Sequence, residues 1–380
     1  MTPMKTAVKD PSLKVKSESL EALRLPVERI FEHELTALLA EDKEKGRPEN
    51  WRLSPKSVLK FIVGGFCEDK QVEISRKFYG DGADVQISRI IASLASDRPV
   101  LLLGEPGTAK SYLSEHIAAA ISGMSTNTIQ GTAGTTEDNV KYSWNYAMLL
   151  SKGPCLESLV PSPLYVGMSK GIITRFEEMT RCLPEIQDVL ISLLSEKLMT
   201  IPELLSPDNV LYAMKGFNMI ATANSRDRGV NEMSAALKRR FSFELINPIK
   251  DIQQEMEIVG KEVQRFLDTH RIKTELPMDV VELLTTTFNE LRTGETSEGV
   301  KIDRPSVTMS TAELVETAIN STVFRHYFEE TLERSAVLAL KGSLKDNADD
   351  LKKIKTYFDI IVKKRSEKMW KMFFEAGKLL

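Results

Sequence analysis

A glycine-rich segment of this 380-residue chain has the residue types and spacing needed to hold phosphate groups. It runs from Gly104 to Ser111, directly after the apolar run Pro99–Leu103 and before an amphipathic stretch that reaches about Ile121. Glycines allow backbone N–H groups to turn inward around phosphate oxygens, and the start of the following helix adds partial positive charge. The strand–loop–helix context therefore predicts a nucleotide-binding P-loop rather than a glycine-rich turn with a coincidental Lys–Ser pair.

Each side chain of this loop has an expected task. Lys110 is expected to reach the β- and γ-phosphates of ATP, and the Ser111 hydroxyl to coordinate Mg²⁺. Ala109 stands where the pattern G-x-x-x-x-G-K-[ST] has its second glycine, and we expect helix geometry there to tolerate alanine. The predicted nucleotide-binding residues are Gly104, Glu105, Pro106, Gly107, Thr108, Ala109, Lys110, Ser111 and Tyr112.

Two adjacent acids follow the apolar run Gly171–Phe176 about 60 residues later. ATP hydrolysis needs one acid near Mg²⁺ and another that orients and deprotonates the attacking water. Glu177 is predicted for the metal and Glu178 for catalysis, although Asp is ordinary at the first position and Arg175 occupies a usually apolar place in the strand. An exposed strand end entering a solvated helix is the alternative, and the preceding P-loop argues against it.

Further polar residues follow at the ends of later segments. The apolar run from Phe217 ends at Asn224, whose amide could hold the lytic water or the γ-phosphate, or could simply begin a turn towards Gly229. Arg240 precedes Phe241 and is predicted to present its guanidinium to a neighbouring subunit's γ-phosphate, with Arg239 as the substitute. A basic helix end that complements the helix dipole is the simpler alternative.

The elements that must position these residues follow an α/β pattern. Short apolar runs alternate with amphipathic segments over residues 80–250, which predicts a parallel sheet flanked by helices. Helical spacing marks Leu25–Leu39, a second helix begins near Ser54, and the chain after Pro248 is predicted to be helical apart from a loop over Thr293–Asp303. The predicted division is a mobile tail (1–24), a helical extension (25–74), an α/β nucleotide-binding domain (75–250) and an all-α lid (251–380).

Composition limits the class of protein. The net charge is −3, with 42% hydrophobic and 28% charged residues, so no global field favours nucleic acid or an acidic membrane. The chain contains no apolar run of about 18 residues and no apolar stretch at its start, so we expect a cytoplasmic protein without a membrane span or secretory signal. Cys67, Cys155 and Cys182 are too widely spaced for a disulfide framework or a metal motif.

The order of these parts resembles that of AAA+ ATPases, and within them the MoxR family of the helix-2-insert type. Three stretches carry the resemblance over roughly residues 75–250: Val100–Ser111, Ile129–Val140, and the run from Glu178-Met-Thr-Arg181 through Pro184-Glu-Ile-Gln187 and Leu193-Leu-Ser-Glu196 to Arg240-Phe241. It implies a P-loop core with a helical lid after about residue 255, Glu177 and Glu178 as the Walker B pair, and Asn224 as sensor 1.

The resemblance also implies an assembly and a type of activity. Members of the family form rings, commonly hexamers, bind ATP and Mg²⁺ at subunit boundaries, and act as chaperone-like remodellers, often beside a partner with a von Willebrand factor A domain. Two residues depart from the pattern: Glu177 in place of Asp predicts slow hydrolysis, and the usual sensor 2 arginine of the lid is missing. Arg304 is the expected substitute at the nucleotide.

Two other functions remain open. Replicative helicases of the minichromosome maintenance type have a very similar P-loop, and residues 351–380 hold eight Lys and Arg365 against three acids, which together would suit a nucleic-acid motor. Apolar residues at helical spacing in the same stretch favour instead a lid helix with a solvated basic face. An assembly switch with weak hydrolysis is the second alternative, suggested by Glu177 and the missing sensor 2.

Overall fold

The computed structural model describes residues 23–42, 46–224, 231–344 and 347–380. Most of the predicted tail and the predicted turn after Asn224 lie outside the described residues. Within the described part of the chain, no helix combines the length and the apolar character that crossing a bilayer requires.

Three short helices open the described chain: α1 (Val27–Ile30), α2 (Glu32–Glu41) and α3 (Pro55–Val63). The single helix predicted over Leu25–Leu39 is interrupted at Phe31, whose φ of −108° and ψ of 27° are not helical. The predicted start of the next helix is confirmed, because the Ser54 side chain accepts a hydrogen bond from the backbone N–H of Ser57, and Pro55 occupies the first turn.

The N-terminal helices belong to the packing of the central sheet. A hairpin that the sequence reasoning missed, β1 (Gly65–Cys67) and β2 (Val72–Ile74), follows α3 and leads to α4 (Ala83–Ala95). Leu35, Leu38 and Phe61 of the helices share one apolar core with Val100 and Ile220 of the sheet, and all five are fully buried. The extension therefore packs on the α/β unit as part of the same core.

The α/β unit continues through eleven elements before its last strands. In chain order they are β3 (Val100–Gly104), α5 (Lys110–Ser122), β4 (Thr128–Gln130), α6 (Glu137–Val140), β5 (Tyr142–Trp144), α7 (Tyr146–Lys152), β6 (Leu159–Pro161), α8 (Pro163–Lys170), β7 (Ile173–Glu177), α9 (Pro184–Glu196) and β8 (Leu198–Thr200). After these come β9 (Val210–Tyr212), β10 (Asn218–Asn224), α10 (Ala235–Lys238) and β11 (Ser242–Ile246).

Five of these strands form a parallel sheet in the order β11–β3–β10–β7–β4. The three strands predicted from apolar runs are confirmed as β3, β7 and β10, and the predicted α/β class with them. The carboxyl ends of parallel strands meet at one edge of the sheet, so the residues that follow these three strands are brought together there. A hairpin of β5 and β6 with α7 is inserted between α6 and α8, where the helix-2 insert was expected.

The remaining chain is helical, as predicted. It contains α11 (Ile252–His270), α12 (Met278–Thr293), α13 (Thr311–Phe328), α14 (Leu332–Ser343), α15 (Ala348–Ile360) and α16 (Lys368–Ala376). These helices have an apolar core of their own that includes Leu284, Phe288, Leu314 and Phe373. The predicted loop follows α12, and the last helices bury one apolar face, with Met372 as an exposed exception.

Candidate active site

The predicted P-loop lies between β3 and α5, and two of its glycines are required by close contacts. A Cβ on Gly104 would lie 2.9 Å from Thr108 Oγ1 and would collide with the carbonyl of Ile246 on the neighbouring strand. Gly107 has a φ of 77°, and a side chain there would collide with Ser310 of the helical region. The loop is therefore enclosed between the sheet and the lid.

We expected helix geometry to accommodate alanine at position 109, and this reason was wrong. Ala109 does not lie within the helix but caps it, with φ 62° and ψ 22° in the left-handed region. That region costs an L-residue with a Cβ roughly 1–2 kcal/mol, which explains why the P-loop pattern has glycine there. The chain therefore folds its loop with a small backbone strain at this position.

Replacing Ala109 tests this strain directly. We expect Ala109→Gly to keep nucleotide binding and to raise the free energy of unfolding by up to about 1 kcal/mol, because relief of the left-handed strain exceeds the entropy that glycine adds to the unfolded chain. Ala109→Val, with a β-branched side chain, is the matched control and should lower stability. Urea unfolding measures both, and a valine variant as stable as the parent would contradict the left-handed assignment.

Lys110 points its ammonium group into the loop. Its Nζ donates to the carbonyl oxygens of Gly104 at 3.1 Å and Glu105 at 2.7 Å, and only 7% of the residue is exposed. Burial lowers the pKa of Lys110 to about 8, against the opposing effect of the nearby Glu177 and Glu178 carboxylates. A phosphate in the loop would offset this desolvation, which is consistent with the predicted role of the lysine.

Ser111 and Glu177, the two predicted metal ligands, are in direct contact. The Ser111 hydroxyl donates to Glu177 Oε2 at 2.6 Å, from the first turn of α5 to the last residue of β7. A hydroxyl and a carboxylate are the hard oxygen donors that Mg²⁺ prefers, with nucleotide phosphates completing its shell. Among the described residues no group of three or more His, Cys, Asp or Glu could hold a metal by itself. The donor set thus fits a cation carried by a nucleotide.

Glu178 leaves the strand in a strained turn. Its φ of 51° and ψ of 41° are left-handed, its backbone N–H donates to Thr222 Oγ1 at 3.0 Å, and its carboxylate accepts from Arg181 Nε at 2.6 Å. A non-glycine residue in this region costs of order 1–3 kcal/mol, and such strain is one of the features that cluster at active sites. The Glu178 side chain is 38% exposed and follows Glu177 directly in the chain, as the predicted catalytic base requires.

Asn224 is brought beside the P-loop by strand register. It is the last residue of β10 and pairs in parallel with Gly104, the last residue of β3. Its side chain is half-buried, and the residues directly after it lie outside the described ones. Tertiary structure therefore places Asn224 at the same sheet edge as Glu177 and the loop, where sensor 1 was expected.

A cleft of about 320 Å³ extends from the P-loop to the lid. One wall is formed by the loop residues from Glu105 to Ala109, and Phe78, Tyr79 and Tyr112 add aromatic surface. An apolar, aromatic wall next to a phosphate loop suits a nucleotide, whose base and phosphates have these two characters. Among the described residues that line the cleft, the sequence reasoning missed five cations, namely Arg76, Lys77, Lys261, Arg265 and Arg292.

The lid presents Arg292 to the cleft rather than the predicted Arg304. Arg292 donates to Glu255 at 2.6 and 2.8 Å and lies 3.4 Å from Thr311 Oγ1, beside the lid residue Ser310 that touches the P-loop. Arg304 packs on Gly294, where an added Cβ would lie 2.6 Å from its Nε, and it is outside the described residues that line the cleft. The position of Arg304 along the chain, shortly before α13, did not indicate which arginine of the lid reaches the cleft.

Arg240 lies at the other edge of the sheet from the P-loop of its own chain. It precedes β11, whose first residue pairs with Val100 at the start of β3, whereas the P-loop follows the end of β3. Four residues of strand at about 3.3 Å each separate the two edges by about 13 Å. The half-exposed guanidinium is fixed by Ser195 Oγ at 2.8 Å and the Ala236 carbonyl at 2.5 Å. Arg239, the substitute, is exposed at the same edge.

Models of known protein families match both the α/β part and the helical part of the chain. A model of the AAA domain, dynein-related subfamily, matches residues 99–241, and one of the YehL-like AAA+ ATPase C-terminal domain matches residues 253–380. The chain is 44% identical to YehL of Escherichia coli K12 over 356 residues, which are 93% of this chain and 96% of that protein. It is 25% identical over 282 residues to the gas vesicle ATPase GvpN1 of Halobacterium salinarum, covering 70% and 77% of the two chains.

Among solved structures, NtrX of Brucella abortus in complex with ATP is similar, at 12% identity with a TM-score of 0.46, covering 80% of this chain and 70% of that one. The family assignment depends instead on the two matched domains and on the identity to YehL along nearly its whole length. The resemblance found in the sequence is confirmed: the chain belongs to the MoxR-like AAA+ ATPases, in their YehL-like branch.

Proposed function

We propose that the protein is a ring-forming ATPase that hydrolyses ATP with Mg²⁺ and uses the cycle to remodel a protein partner. The observation that carries the proposal is the separation of Arg240 from its own P-loop by the height of the sheet. An arginine fixed at that edge can complete a nucleotide site only in a neighbouring subunit. The catalytic set is thus divided between two copies of the chain.

The residues at the P-loop edge take the remaining roles. Backbone N–H groups of Gly104–Ala109 and the Lys110 ammonium hold the phosphates. Mg²⁺, when bound, neutralises charge between the β- and γ-phosphates, and Ser111 with Glu177 would hold it. Glu178 accepts the proton of the attacking water while the Asn224 amide orients that water. Arg292 takes the lid position for which Arg304 was expected.

Family membership supports a proposal for the assembly and the partner. Ring formation is typical of AAA+ ATPases, and we propose a homo-oligomer, with six subunits as in the family pattern. We propose further that a protein with a von Willebrand factor A domain is the partner. The inserted hairpin of β5 and β6 supports an interaction with protein, because Tyr146 and Leu150, which follow β5 within it, are 73% and 90% exposed.

A second candidate function is a nucleotide-dependent assembly switch with weak hydrolysis. The ion pair between Glu178 and Arg181 favours it, because that pair occupies the carboxylate that would accept the proton of water. The nucleic-acid motor has less support. Lys352, Lys353 and Lys355 lie on α15, which packs through the buried Ile354 and Phe358, as an ordinary solvated helix surface does. Arg365 pairs with Glu290 at 2.5 Å in the packing of the lid.

Purified protein separates the three functions. The remodeller should form rings with ATP and turn it over without DNA, the motor should need DNA for turnover, and the switch should form rings and release little phosphate. Mass photometry and a phosphate-release assay, each with and without DNA, measure these outcomes. Turnover that appears only with DNA would overturn the proposal. Capture of a von Willebrand factor A protein by ATP-bound rings would test the partner.

A further inference from the structure

Arg175 is a buried cation inside the strand that ends at the proposed metal ligand. It lies two residues before Glu177, so both side chains are on the same face of β7 and point towards α5. The Arg175 and Glu177 side chains are 9% and 6% exposed. An arginine at a usually apolar strand position therefore has a specific partner, which explains the departure seen in the sequence.

The guanidinium of Arg175 donates hydrogen bonds to both residues of the proposed metal site, Ser111 and Glu177. Its Nη2 donates to Glu177 Oε1 at 2.7 Å and to the backbone carbonyl of Ser111 at 3.2 Å. The remaining nitrogens donate to Ser114 Oγ at 3.0 Å, the Ser125 carbonyl at 2.8 Å and Thr128 Oγ1 at 3.2 Å. Such a fully satisfied fork is rigid, because each N–H of the planar guanidinium has its own acceptor.

The two oxygens of Glu177 consequently have different surroundings. Oε1 accepts from Arg175 and from Ser114 Oγ, whereas Oε2 accepts from Ser111 Oγ at 2.6 Å and Thr222 Oγ1 at 2.7 Å. One oxygen is thus held by a cation and the other faces the serine that is expected to bind Mg²⁺.

We propose that Arg175 is a positioning residue that holds Glu177 against Ser111 and, by its charge, weakens the attraction of that carboxylate for a divalent cation, so that Mg²⁺ binds firmly only together with nucleotide phosphates. The inference rests on the proposed nucleotide site. Arginine and Mg²⁺ compete for the charge of one carboxylate, and a cation this close changes the affinity of a carboxylate for a proton by one to three powers of ten. The same electrostatics act on a bound metal ion.

The test removes the charge of Arg175 and keeps an unbranched, apolar side chain in its place. Binding of a fluorescent methylanthraniloyl-ATP is followed during a Mg²⁺ titration of the full-length protein, and Mn²⁺ binding without nucleotide is measured by electron paramagnetic resonance. We expect Arg175→Met to lower the Mg²⁺ concentration at half-saturation by about tenfold or more and to create measurable Mn²⁺ binding without nucleotide. Arg175→Lys, which keeps the charge, should stay within about threefold of the parent.

Controls separate this role from a structural one. Arg89→Met removes an arginine that pairs with Glu244 on another strand of the sheet and should leave the Mg²⁺ midpoint unchanged. If the methionine variant does not fold, Arg175→Gln provides a neutral side chain that can still hydrogen-bond in the same place. A neutral variant with an unchanged or higher midpoint, or a lysine variant that shifts as far as the neutral one, would overturn the inference. A parent that binds no nucleotide would instead refute the proposed function.

Discussion

Mixtures of Arg240→Ala and Lys110→Ala subunits will hydrolyse ATP, although each variant alone is nearly inactive. An Arg240→Ala subunit keeps an intact P-loop, and its Lys110→Ala neighbour still carries the arginine. The structure gives the reason, because Arg240 follows α10 at the sheet edge away from its own P-loop and cannot reach its own nucleotide. Activity regained on mixing can arise only at a site shared between two chains.

The two single variants should fail for different reasons. Arginine fingers are worth about 10³–10⁵ in rate, so Arg240→Ala should bind ATP nearly as tightly as the parent and hydrolyse it at least about 10³-fold more slowly. Lys110→Ala should lose most of its ATP affinity, since hydrogen bonds to charged groups are each worth roughly 1.5–3 kcal/mol. Calorimetry with ATP and a phosphate-release assay distinguish loss of binding from loss of turnover.

Arg239→Ala is the matched control, since it removes an exposed arginine one residue away. It should retain turnover and give no gain on mixing with Lys110→Ala. Native mass spectrometry establishes that mixed rings have formed before the rates are compared. Mixed rings that remain inactive would remove the shared site from the proposal, whereas loss of turnover in Arg239→Ala with turnover retained in Arg240→Ala would move the finger to Arg239.

Glu178→Gln will bind ATP and stop hydrolysis, so that ATP-bound rings accumulate. Glutamine matches glutamate in size but cannot accept a proton from water, and general-base catalysis contributes about 10²–10⁴ in rate. Loss of the charge also breaks the ion pair with Arg181, so any assembly that depends on that pair would change as well. Single-turnover phosphate release and retention of ATP on rings are the measurements.

Two further variants show whether the effect of Glu178→Gln is specific to that residue. Glu185→Gln changes an exposed glutamate in the first turn of α9 and should turn over ATP like the parent. Glu177→Gln should reduce Mg²⁺-dependent nucleotide binding, because it removes the carboxylate next to Ser111. If Glu178→Gln remained active while Glu177→Gln bound ATP without hydrolysing it, the roles of the two acids would be exchanged.

The local sequence was sufficient to predict a strand of the sheet where a run of apolar residues ended in a polar residue. Strands β3, β7 and β10 were predicted because their buried positions are nearly continuous, as parallel strands between helices require. Strand β11 was missed because Phe243 and Leu245 are exposed while Glu244 is buried against Arg89, which reverses the expected pattern. Strand β4, with three residues, is too short for periodicity to be read.

The sequence by itself determined the P-loop, the two acids after β7 and the polar end of β10, because each depends on a few adjacent residues in a fixed local context. Only the tertiary structure decided how distant groups are arranged: Asn224 lies beside Gly104, and Glu177 and Arg175 contact Ser111 and Ser114 of α5. Likewise, Arg292 rather than Arg304 lines the cleft, and Arg240 lies away from its own P-loop. Strand order, register and lid packing set these contacts, and they depend on residues tens of positions apart. The spacing of residues along the chain does not indicate these distances in space, because the packing of the whole core sets all of them together.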